Sequence, residues 1–117
     1  MIRRLVRALI ENATVTHAAA PSLTVDPIIL RAAEILPMEE VDLVNLATGQ
    51  RVRTWVEAGA EASGEVRVPS SQRHPFRVGD MASIIAFGLL HDGQTLTHRA
   101  RVVSVDPRNQ VVAVTER

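Results

Sequence analysis

The chain contains no cysteine, no lysine and no tyrosine. Without cysteine there are no disulfides, no thiolate-bound metals and no cysteine nucleophile. Without lysine there is no internal Schiff base, which excludes lysine-bound pyridoxal phosphate and class I aldolase chemistry. All 13 basic residues are arginine. Any carbonyl electron sink must therefore come from the backbone or from a bound ligand. The 13 basic residues match 13 acidic ones for a formal net charge of zero, and no basic face dominates the sequence. Nucleic-acid binding then has no electrostatic footing. No apolar run approaches the roughly 20 residues of a membrane helix. The opening "MIRRLVRALIENATV" scatters charge where a signal peptide would carry an apolar stretch. A cytoplasmic protein with neither a nucleic-acid nor a membrane partner is expected.

What is present reads as one mainly β domain over residues 1–117. The hydrophobic fraction of 46% is too high for disorder and ordinary for a globular chain. "RRLVRALI" and "ATVTH" suit half-buried strands. "VDLVNLATGQRVRTWVEA" predicts a hairpin turning at Thr48-Gly49, where glycine supplies the positive φ. "GEVRVP" is a short strand, and "DMASIIAFGLL" reads as a buried central one because it is almost continuously apolar. "THRARVVSVD" and "NQVVAVTE" form a final pair around Pro107-Arg108-Asn109, with Val103, Val105, Val112 and Val114 alternating. One helix stands out. Asp26 is its N-cap, Pro27 its first residue, and "IILRAAEIL" carries its apolar face until Pro37 ends it. "PSSQRHPF" (69–76) is a loop. Many short strands with one or two short helices predict a small β-barrel.

Generic catalytic motifs are missing. There is no glycine-rich phosphate loop, no HExxH and no nucleophile elbow. His17, His74, His91 and His98 show no ligand spacing, so no metal is expected. Arg51 and Arg53 lie two apart on a predicted strand and share a face. They are either a solvated surface or a cationic wall that grips a carboxylate through arginine's planar fork. Ser22, between Pro21 and Leu23 just ahead of the helix start, is either a turn residue or a nucleophile.

From end to end the chain resembles the pyruvoyl-dependent aspartate 1-decarboxylases. The resemblance runs through "MIRRLVRALIENATVTHA", "VDPIILRAAEIL", "EEVDLVNLATGQRVRTW", "RVGDMASIIAF" and "RARVVSVDPRNQVVAV". It implies a double-psi β-barrel, a homotetramer and a self-cleaved chain. In that family a serine hydroxyl attacks the preceding carbonyl, an ester forms, and elimination leaves a pyruvoyl group. The matching serine is Ser22, so the cut would fall between Pro21 and Ser22, and the electron sink would be made from the backbone. Arg51 matches the arginine that holds the substrate carboxylate. Thr54 matches the threonine that assists cleavage, and His17 a structural histidine.

The pocket departs from the family pattern. The family's lysine is Leu9 here, its nearby histidine Glu11, the glycine before the serine Pro21, and the proton-donating tyrosine Trp55. The Asn-Gly-Ala-Ala segment is Pro69-Ser70-Ser71-Gln72, and the loop before Ser22 is shorter. Replacing a cation by Leu9 removes a charge-assisted bond worth about 1.5–3 kcal/mol toward a dicarboxylate. Losing a positioned acid at Trp55 costs on the order of 10²–10⁴ in rate. Two other readings therefore stand beside a decarboxylase of aspartate or another small amino acid. One is an uncleaved enzyme acting on a small carboxylate, with Arg51 as anchor and Glu11 or His74 as acid or base. The other is a non-catalytic binding or scaffold protein.

Overall fold

The computed structural model describes residues 1–117. Its strands are β1 (Ile2–Thr14), β2 (Leu23–Val25), β3 (Glu40–Asn45), β4 (Arg51–Ala58), β5 (Val66–Arg67), β6 (Met81–His91), β7 (Arg101–Val105) and β8 (Val111–Glu116). Helix α1 covers Pro27–Ala33, and α2 is a single turn at Asp92–Thr95. The strands form one mixed sheet in the order β5-β2-β4-β3-β6-β1-β7-β8. It curls into a half-barrel around a single apolar cluster that includes Ile10, Leu23, Ile29, Leu43, Val56, Ile84 and Val103. The fold is thus mainly β with two short helices, as the strand pattern predicts.

Most of the sheet is antiparallel. The two parallel pairs, β2 with β4 and β1 with β7, join strands that are distant in sequence. The β3–β4 hairpin turns where expected. Gly49 takes φ +77°, and its N–H donates to the Asn45 carbonyl at 2.7 Å. The first strand-like stretch and the start of the second form the single 13-residue β1, whereas Val15–His17, expected as strand, lie beyond its end. Its pairing with β6 slips between Val6 and Ala8 and again between Ile10 and Ala13, with Asn12 at φ +63°. Such bulges bend a long strand so that it can follow a curled sheet.

Three expectations are corrected. The helix starts at Asp26, whose carboxylate accepts the Ile28 N–H at 2.9 Å, but it stops at Ala33 rather than running on to Pro37. Glu34 adopts a left-handed conformation, which lets Ile35 turn back into the core while Leu36 stays in solvent. Strand β6 is not buried on both faces. Ala82, Ile84 and Ala86 are enclosed, whereas Met81 and Leu89 are exposed, because only the inner side of the curl meets other elements. Val103 and Val105 point into the core, but Val112 and Val114 on the edge strand β8 are exposed.

Candidate active site

Residues 16–22 reach their positions through β5. The Thr16 N–H donates to the Val66 carbonyl at 2.9 Å, and the Thr16 hydroxyl bonds both the carbonyl and the N–H of Val66. The Val68 N–H donates to the His17 carbonyl at 2.9 Å, and the Ala20 N–H to the Val68 carbonyl at 3.0 Å. Ala19 turns the chain at φ +60°. Pro21 lies at the surface, and Ser22 drops inward to 7% exposure just before β2 begins.

Ser22 borders a pocket of about 570 Å³ lined by residues 17–22 together with Thr24, Glu57 and Arg67. Three of the lining residues, Ala18, Ala19 and Ala20, are small. Parallel pairing sets Thr24 level with Glu57 and Leu23 level with Val56. The Ser22 hydroxyl donates to Glu57 Oε2, a contact between residues 35 apart in sequence. Arg67 adds a cation, held by Glu65 at 3.2 Å. His17 sits on the rim with Nδ1 2.9 Å from the Thr16 hydroxyl. Hydroxyl, carboxylate and cation thus meet at one mouth, an arrangement able to remove a proton and to hold a charged ligand.

The other residues singled out from the sequence fall into a second group. Arg51, Arg53, Trp55 and Glu57 alternate along one face of β4. Arg51 Nε donates to Asp42 Oδ2 at 3.0 Å, and Arg53 Nε to Asp42 Oδ1 at 3.1 Å. Asp42 is only 6% exposed, and burial of its charge is offset by one guanidinium on each oxygen. The carboxylate these two arginines grip is therefore the chain's own, although about half of each arginine side chain remains exposed. Arg51 is six residues from Glu57 along β4, about 20 Å at the usual strand rise. Leu9 pairs with Ile85, Ile85 with Asp42, and Asp42 with Arg53, so Leu9 shares the outer face of the arginines. Glu11 is engaged by Arg117 at 3.1 Å and by the Ser104 hydroxyl at 3.3 Å. Trp55 is 46% exposed. Thr54 points to the opposite face of β4, and its hydroxyl contacts the Trp55 carbonyl at 3.5 Å rather than Ser22. His74 lies in the 69–76 loop beside a cleft of about 120 Å³, with Nδ1 buried and unpartnered.

Within one chain, then, the structure brings Ser22 together with Glu57 and Arg67, and leaves Arg51 and Leu9 further along the same outer face, away from the pocket. Glu57 and Arg67 were missed in the sequence. Alternation does place Glu57 on the face of Trp55, but nothing local shows which strand lies alongside. A separate groove of about 500 Å³ beside α1 is lined by Leu30, Ile35 and Leu36 with Arg31 and Glu34. It offers no hydroxyl or imidazole and is not a candidate for chemistry.

A small curled β-sheet with one core, carrying a loop serine against a carboxylate in a pocket, defines a class of compact β proteins with a built hydroxyl site. Comparison with known proteins narrows that class. The family model for aspartate decarboxylase matches residues 1–112. The aspartate 1-decarboxylase of Listeria monocytogenes is 32% identical over 114 residues, covering 95% of this chain and 90% of that enzyme. The chain belongs to the aspartate decarboxylase family.

Proposed function

We propose that the protein is a pyruvoyl-dependent decarboxylase of aspartate or another small L-amino acid, with its carbonyl made from Ser22. The observation that carries this reading is the Ser22 hydroxyl, inward-facing and hydrogen-bonded in a pocket, in a chain of this family. The surroundings suit such a group. The pocket has room for a small amino acid, three of its lining residues are alanines, and no lysine amine exists to compete for a carbonyl.

Maturation is chemistry of the chain itself. Ser22 Oγ adds to the Pro21 carbonyl carbon, and the Pro21–Ser22 amide becomes an ester. Loss of the Ser22 α-proton with cleavage of its Cβ–Oγ bond then releases residues 1–21 with a new carboxylate. Water completes the conversion of the remaining Ser22 backbone to a ketone, with ammonia leaving. Once formed, a pyruvoyl group supplies an electron sink for loss of CO₂. Arg67 lies where it can hold a substrate carboxylate, and Trp55 adds apolar surface further along β4.

A homotetramer completes the reading. Arg51 and Leu9 are too far from Ser22 to serve it within one chain, so they would serve the pocket of a neighbouring copy. Exposed apolar side chains at Ile2, Val6, Leu89, Val112 and Val114 on β1, β6 and β8 support assembly. No helix is long and apolar enough to cross a membrane; a cytoplasmic location is part of the proposed reading.

Mass spectrometry of the purified full chain tests both parts. Under denaturing conditions, fragments 1–21 and 22–117 are expected, the larger carrying an N-terminal pyruvoyl group. Under native conditions, four copies are expected, and aspartate is expected to yield β-alanine. A single unbroken chain after long incubation overturns the decarboxylase. In that case thermal-shift binding of small carboxylates, lost in Arg51→Ala, would indicate an uncleaved enzyme, and no response to any carboxylate would leave a scaffold.

A further inference from the structure

Glu57 is an acidic residue on a strand whose inner face is mostly apolar, and its side chain lies on the opposite face with Arg51, Arg53 and Trp55. Unlike Asp42 on the neighbouring strand, it is not paired with an arginine. Its one hydrogen bond comes from the Ser22 hydroxyl. That hydroxyl has no other partner, and Ser22 as a residue is 7% exposed. An ionised carboxylate can only accept, so the Ser22 proton points at Glu57 Oε2. A serine hydroxyl is a weak nucleophile until an adjacent base takes its proton, and the geometric requirement for such a base is hydrogen-bond reach. Within one chain Thr54, expected from the resemblance to assist, lies on the far face of β4, and its hydroxyl contacts the Trp55 carbonyl instead.

We propose that Glu57 is the base that activates Ser22 for cleavage of the chain. Its Oε2 takes the hydroxyl proton as Oγ bonds to the Pro21 carbonyl carbon. As the C–N bond between Pro21 and Ser22 breaks, the same proton passes to the Ser22 nitrogen. The step moves one proton out and back and consumes nothing. The inference rests on the reading of Ser22 as the site of self-cleavage. The charged or titratable groups around Glu57 are His17 and Arg67 in the pocket and Glu65, which is tied to Arg67.

The test follows cleavage of freshly purified full-length chain by denaturing mass spectrometry, with Ser22→Ala as the uncleaved reference. Glu57→Gln keeps the shape and one acceptor oxygen but not the basicity. It is expected to slow cleavage on the order of 10²–10⁴ while leaving the melting temperature close to wild type. Glu57→Asp, with its carboxylate set back by one methylene, is expected to recover part of the rate. His17→Gln, which removes the neighbouring imidazole, is expected to slow cleavage far less than Glu57→Gln. If wild type splits and Glu57→Gln splits equally fast, Glu57 is not the base, although Ser22 remains the cleavage site. If Glu57→Gln fails to fold, a Glu57→Asp chain that splits as fast as wild type overturns the inference just as well. A wild-type chain that never splits removes both Glu57's role and the reading beneath it.

Discussion

Asp26 ties the end of β2, the strand that follows Ser22, to the rest of the molecule, and its removal has a calculable cost. The carboxylate is 2% exposed and accepts three backbone N–H groups. Ile28 and Ala62 donate to Oδ1 at 2.9 and 3.1 Å, and Gly64 donates to Oδ2 at 2.9 Å. Asp26→Ala first removes a helix N-cap, which costs about 1 kcal/mol. It also strands the buried Gly64 N–H, which costs about 1–3 kcal/mol. Ala62 is exposed, so its N–H can turn to water at little cost. The expected loss is about 2–4 kcal/mol, or about 8–16 °C in melting temperature for a domain of this length. Asp26→Asn isolates the second part. It keeps the oxygen that serves Ile28 and Ala62 but turns an NH₂ toward the Gly64 donor, so its expected cost is about 1–3 kcal/mol. Urea denaturation with an unchanged slope measures both values. If Asp26→Ala stays within about 0.5 kcal/mol of wild type, the range of an ordinary surface change, the bridging role is refuted.

Two further outcomes follow from the same region. Gly64 has φ +69°, and a Cβ there would lie 2.8 Å from the Arg108 carbonyl oxygen, so Gly64→Ala is expected to cost about 2–3 kcal/mol. Gly49→Ala shares the positive φ but meets nothing within 4 Å, so about 1 kcal/mol is expected; equal costs in urea melts would show that the close approach is not felt. The Glu61 carboxyl is held below its ordinary value, first by its hydrogen bond from Arg31, whose own value is raised by the same contact. A depressed carboxyl contributes stability above its unfolded value and loses it as pH falls through the folded one. The stability gap between wild type and Glu61→Gln is therefore expected to be small, greatest near neutral pH and closed in acid; a gap that does not change with pH refutes the pairing.

Much of this protein can be read along the chain because the physics there is local. A capping carboxylate and proline followed by an apolar run of helical period start the helix at Asp26, and a glycine free to take positive φ turns the hairpin at Gly49. A period of two places Arg51 and Arg53 on one face. The absence of lysine by itself excludes an internal Schiff base. Composition and order were also enough for the resemblance that pointed to Ser22.

Other features depend on which strand lies beside which. The helix ends at Ala33 because Ile35 has a core to enter, not because Pro37 blocks the way. Arg51 and Arg53 close on Asp42 because β3 sets that carboxylate opposite Arg53. The contact of Ser22 with Glu57 exists only because β2 runs parallel to β4 in one register. A slip of one residue would turn Glu57 to the other face of the sheet. No local pattern encodes that choice, since parallel neighbours are joined through long connections and selected by burial of the whole sheet.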